Sequence, residues 1–156
     1  MKFGDVVTCV ASIALINVLI GVPVENVLVS ALGFYWGHTV SMAVSFLLGA
    51  LIIGYIFAGK IWEARREAIT KITVLAAALI MLFAMHLPAL ADWTPMVKET
   101  YQEMYPATTL STSEWVIVEM MVLSLNLFVN VVMVLVLVSI GLYVGSMLRK
   151  PVKSQK

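Results

Sequence analysis

Apolar residues run along this chain in four long stretches, 6–24, 27–59, 72–91 and 115–148, with short polar segments between them. A helix crosses a hydrocarbon core of about 30 Å with about 20 mainly apolar residues. Each stretch is long enough for one crossing. A membrane barrel is excluded, because its strands alternate polar and apolar positions over segments of about ten residues. The pattern predicts an all-α, polytopic integral membrane protein. It is a four-transmembrane-helix bundle forming one domain over residues 1–156, with spans at about 6–24, 38–59, 72–91 and 124–148.

The boundaries follow from the breakers. Pro23 marks the outer end of the first span. The second stretch is 33 residues long, or about 50 Å as a helix, which exceeds the membrane. Gly33 and Gly37 offer a place to bend or break it. The reading is a short outer segment, about 27–35, followed by the span from 38 to 59. The inner connection 60–71 contains neither Gly nor Pro, so helix 2 is expected to protrude inward before the chain turns. Pro88 lies near the outer end of the third span.

In the outer loop, 92–114, Thr94-Pro95 resembles a helix start. Val97, Tyr101, Met104 and Tyr105 then share one face, and Lys98, Glu99, Gln102 and Glu103 the other. This predicts a short amphipathic helix on the outer membrane surface, ended by Pro106. Ser111 and Glu114 have the spacing of a capping box and should start the fourth helix. That helix meets no Gly or Pro before Gly141. Helices 2 and 4 are therefore both longer than the membrane and extend to the outer side. The apolar residues 116–123 need cover there, for which segment 27–35 is the expected partner. Gly54-Tyr55 and Gly141-Leu142-Tyr143 lie at equivalent inner ends of the two long helices and hint at a duplicated hairpin.

Composition confirms the class. Hydrophobic residues make up 62%, charged residues 12%, and mean hydropathy is +1.00. A soluble domain has about 45–50% apolar and about 25% charged residues. A soluble fold, a disordered chain and a nucleic-acid binder are excluded. The lone Cys9 permits no intrachain disulfide. No small-x-small cleavage site follows the first stretch, which reads as a retained span.

The net charge of +1 hides an asymmetry. Lys2, Lys60, Arg65, Arg66, Lys71, Arg149, Lys150, Lys153 and Lys156 fall at one set of helix ends with Asp5, Glu63 and Glu67, giving +6. The other set holds Lys98 against Glu25, Asp92, Glu99, Glu103, Glu114 and Glu119, giving −5. Lys and Arg stay cytoplasmic, so both termini and the 60–71 loop are expected inside a cell membrane. Trp36, Trp93 and Trp115 at outer ends and Trp62 at an inner end suit membrane interfaces.

Three constellations carry whatever chemistry there is. Gly33, Gly37, Ser41, Ser45 and Gly49 recur every four residues, with Ala50, Gly54 and Ala58 beside them and Gly141 and Gly145 on helix 4. Such small-residue rows let helix backbones approach closely. They serve either internal packing or an oligomer face. Asn17, Asn126 and Asn130 are intramembrane polar groups, the latter two on one face with Glu119. They point to interhelical hydrogen bonds, or to a polar pathway. His38 and His86, with Asp92 and Glu119, are the weak candidates for a metal site in the outer half. No HExxH or CxxC spacing supports it, and interfacial or hydrogen-bonded histidines are the plainer reading. No cofactor is expected. The expected partners are the lipid bilayer, the protein itself or another membrane subunit, and anionic lipid at the basic tail 149–156. The functional expectation is a non-enzymatic helix-packing component. The alternatives are a small oligomeric transporter with an Asn-lined pathway and an outer-leaflet metal enzyme.

Overall fold

A computed structural model describes residues 1–90, 101–102, 105 and 110–149, without the side chains of 34–35, 83–90 and 126. Among the described residues all regular structure is helical: α1 (Phe3–Leu32), α2 (Phe34–Ile56), α3 (Ala58–Glu63), α4 (Arg65–Leu90) and α5 (Thr112–Leu148). Helices over Phe3–Leu32, Trp36–Ile56 and Thr112–Leu148 are long and apolar enough to cross a membrane. The chain divides into two compact units, Met1–Ala78 with Met133–Lys156, and Leu79–Val132.

The helix lengths correct the sequence reading. α1 does not end at Pro23 but continues for 30 residues to Leu32, so the 27–32 stretch belongs to helix 1 rather than helix 2. An internal proline costs a helix about 3 kcal/mol or more in water. In a membrane, neighbouring helices make it tolerable, and α1 is held against α2 on both sides of Pro23. The break falls at Gly33, whose φ of +79° admits no ordinary side chain. Gly33 donates its amide to Val29 O at 3.0 Å, and Gly37 donates to Gly33 O at 2.9 Å. One residue thus separates two helices. α5 is 37 residues, as long as the sequence predicts for the fourth helix, but α2 is only 23 and the other long helix is α1 at 30, which a duplicated hairpin does not predict.

The connection after α2 also differs from the sequence reading. α2 stops at Ile56 instead of protruding, and Phe57 sits outside helical geometry with φ −95° and ψ 16°. The 60–71 segment is not a loop: α3 occupies its first part and α4 begins at Arg65. The turn between them is at Ala64, φ −143° and ψ 55°.

Within the first unit, α1 and α2 form an antiparallel hairpin. A Cβ added at Gly37 would lie 2.5 Å from Val29 N, and one at Gly49 3.4 Å from Ile13 O. Ser41 meets Gly21 and Ser45 meets Asn17 between them. The facing rows are Ile13, Asn17, Gly21, Glu25 and Val29 on α1, and Gly49, Ser45, Ser41, His38 and Gly37 on α2. The α1 row, and Gly49, Ser45, Ser41 and Gly37 on α2, step by four residues, with His38 beside Gly37; such a step is the ridge along which helices interdigitate.

The other face of α2 packs on α5. A Cβ at Gly54 would lie 2.7 Å from Leu142 O, and one at Gly141 2.7 Å from the Ala50 Cβ. Gly145 is likewise pressed against the Leu51 carbonyl. Contacts advance together along the two helices, so α2 and α5 run in the same direction. Trp62 reaches Ser146, Arg65 reaches Tyr143 and Thr73 reaches Ser139, so the α3–α4 segment runs against α5. Ala68, Ile72, Ala76, Val134, Val138 and Leu142 are buried at four-residue intervals on α4 and α5.

In the second unit, Ser111 caps α5 as the sequence spacing predicts. Its amide donates to Glu114 Oε2 at 2.8 Å, and Glu114 N donates to Ser111 Oγ at 3.5 Å. Tyr101 and Gln102 are helical, and Tyr101 packs edge-on against Trp115 with centroids 5.2 Å apart. The other residues for which the sequence predicts an amphipathic helix lie outside the described residues, as does the basic tail beyond Arg149. Residues 27–35 and 116–123 belong to different units.

Candidate functional site

The polar groups of the first unit gather along the α1–α2 seam. The Asn17 amide donates to Ser45 Oγ at 2.6 Å. Ser45 Oγ donates to Ser41 O at 2.8 Å, and Ser41 Oγ donates to Gly21 O at 2.8 Å. Ser41 and Ser45 are fully buried. Without water, each hydroxyl or amide must find a protein partner. Here serines serve twice: they are small enough for close approach and polar enough to satisfy Asn17.

An ionisable pair closes each end of this seam. Toward the Gly33 turn, Glu25 Oε1 lies 2.8 Å from His38 Nδ1, both about a quarter to a third exposed. At the opposite end, Lys60 Nζ lies 2.6 Å from Asp5 Oδ1. Twenty residues separate Asp5 from Glu25, about 30 Å of helix.

The sequence-singled residues therefore fall as follows. Gly37, Ser41, Ser45 and Gly49 lie on the α1 side of α2, while Gly54 faces α5 and Gly141 and Gly145 face α2. All seven are engaged within one chain. Asn17 is joined to Ser45; Asn130 lies half-buried on α5 in the second unit, and the Asn126 side chain is outside the described residues. His38 is paired with Glu25. Glu119 is half-buried on α5. The His86 side chain and Asp92 fall outside the described residues. Among those described, no three metal-ligating side chains gather.

Sequence reasoning missed three participants. The α1 row from Ile13 to Val29 mirrors the α2 row at the same spacing, and a hairpin at Gly33 would have paired the two. Glu25 was read only as an outer charge, though it lies eight residues before the turn and His38 five after it. Arg65 was read only as an orientation signal. Its guanidinium sits 3.8 Å from the Tyr143 ring centroid and 4.4 Å from that of Trp62.

The chain matches no family model, and no curated protein or solved structure is significantly similar to it. The apolar helices make it a membrane protein; its role rests on its own residues.

Proposed function

We propose that this chain is a non-enzymatic, multi-pass component of the cell membrane that works by helix–helix association, with itself or as a subunit of a larger membrane complex. One observation carries the reading. α5 has 37 residues, about 55 Å of helix against a core of about 30 Å. On its N-terminal half Val116, Ile117, Met120, Met121, Leu125 and Phe128 are each more than half exposed. Burying such side chains is worth about 25 cal/mol per Å², and the part of α5 beyond the core gains this only against another protein surface.

On this reading the chain crosses four times as a bundle, with both termini cytoplasmic. The lysine and arginine distribution supports it, as does the parallel course of α2 and α5 with α4 running against α5. The spacing of the Asp5–Lys60 and Glu25–His38 pairs also matches a hydrocarbon core. The commitment of Asn17 to Ser45 favours packing over an Asn-lined pathway.

The test is the size and composition of protein purified in mild detergent. The expected result is a homo-oligomer or a stoichiometric complex that Met120→Gln with Met121→Gln dissociates. A lone monomer, unchanged by the double substitution, would overturn the proposal.

A further inference from the structure

Arg65 opens α4 directly after the Ala64 turn. Trp62 is anchored beside it by its indole N–H, which donates to Ser146 O at 2.7 Å. With Trp62 and Tyr143 both packed against the guanidinium, its hydrogen-bonding capacity lies at its edges. Along one edge, Nε and Nη2 are buried and have no acceptor among the described residues. These two N–H groups form the side of an arginine that grips a phosphate or carboxylate through two parallel hydrogen bonds. A buried charged donor left without an acceptor is costly, so an acceptor that the described residues do not supply would be favourable there.

The surroundings specify an anion. Arg65 and Arg66 occupy the first turn of α4, where the helix dipole repels cations and attracts negative charge. Ala64 before them offers no side-chain cap. Glu67 in the same turn is taken by Lys71. Arg149 adds a further cation, its Nη1 3.5 Å from Ile56 O and its guanidinium 5.6 Å from the Tyr55 ring. Exposed Tyr55 and Ile56 provide an apolar surface beside Arg149, and exposed Met147 and Leu148 precede it on α5.

The geometry points to a site for one phosphate group at the cytoplasmic end of the bundle, the headgroup phosphate of an anionic lipid held side-on by Arg65. This differs from diffuse attraction to the basic tail, and it does not depend on the association proposed above. The apolar flank favours a lipid over free phosphate, because acyl chains would cover Ile56 and Leu148 while the phosphate meets the fork.

The experiment uses the full chain in nanodiscs of phosphatidylcholine with phosphatidylglycerol, followed by native mass spectrometry. Wild-type protein should retain one phosphatidylglycerol per chain. Arg65→Gln should lower that occupancy about tenfold, the loss of a charged hydrogen-bond pair. Arg65→Lys, which keeps the charge and loses the fork, should lower it too, whereas Arg149→Gln should not abolish it. Inorganic phosphate is the second arm. If it raises the melting temperature of wild type but not of Arg65→Gln, while no lipid is retained, the site takes free phosphate. Equal retention of phosphatidylglycerol by wild type and Arg65→Lys, with no effect of phosphate, would overturn the proposal. So would a wild-type protein that retains phosphatidylcholine equally well, a readout that stands even if Arg65→Gln fails to fold.

Discussion

The side-chain amide of Asn17 donates to the hydroxyl of Ser45 at 2.6 Å and ties the middle of α1 to the middle of α2. Interhelical hydrogen bonds in membranes are worth about 0.6–2 kcal/mol. Asn17→Leu and Ser45→Ala should each destabilise by about 1 kcal/mol. In a double-mutant cycle followed by detergent-induced unfolding, the pair should be non-additive. Additive effects would show that the two residues act separately.

The glycines of α2 and α3 should not be equivalent. A methyl at Gly54 would meet the Leu142 backbone at 2.7 Å, whereas at Gly49 the nearest atom is 3.4 Å away and at Gly59 nothing lies within 4 Å. Gly54→Ala should cost about 1–3 kcal/mol, the usual penalty of overpacking, and Gly54→Leu should prevent folding. Gly49→Ala should be tolerated, and Gly59→Ala neutral or stabilising by up to about 1 kcal/mol. Expression level and thermal melting in detergent rank the three.

Stability should fall at both pH extremes, by the linkage between pKa and folding. The Glu67 carboxyl is lowered from 4.5, first by the hydrogen bond from Lys71 and then by its charge. That contribution is present above the ordinary value and is lost as pH falls through the lowered one. Lys60 is raised from 10.5 because Asp5 accepts its hydrogen bond and attracts its charge. Its contribution is present below 10.5 and is lost as pH climbs through the raised value. Both pairs are exposed, so the changes should be small. Glu67→Gln should lessen the acid-side fall of a melting-temperature profile, with the lowered Asp5 and Glu114 carboxyls keeping the rest, and leave the alkaline side unchanged.

The proposed four crossings would place Glu63 and Ser111 on opposite sides of the membrane. In a Cys9→Ala background, Ser111→Cys in intact cells should react with a membrane-impermeant maleimide. Glu63→Cys should react only after permeabilisation. Labelling of both from the same side would require an even number of crossings between them and would contradict the four-span reading.

The helical class, the Gly33 break and the Ser111 cap were legible because each rests on local chemistry: apolar run length, backbone freedom and side-chain spacing. The end of α1 was not. Pro23 is a local stop signal, but Glu25 and Val29 find partners on α2 beyond it, and tertiary contacts override the proline. The Ala64 turn carries no Gly or Pro to announce it. The small-residue rows were visible, but which neighbour each faces depends on the hairpin register, which places Gly49 on α1 and Gly54 on α5. The Arg65 site was hidden because Tyr143 lies 78 residues away.

The most direct measurement of the central claim is site-specific photo-crosslinking in native membranes, with a photoreactive residue at Met120 on the exposed N-terminal half of α5 and a control at Leu19 on α1. Helix association through α5 predicts one discrete protein adduct from position 120, a second copy or a defined subunit, and lipid adducts alone from position 19. Lipid adducts alone from both positions would contradict the account.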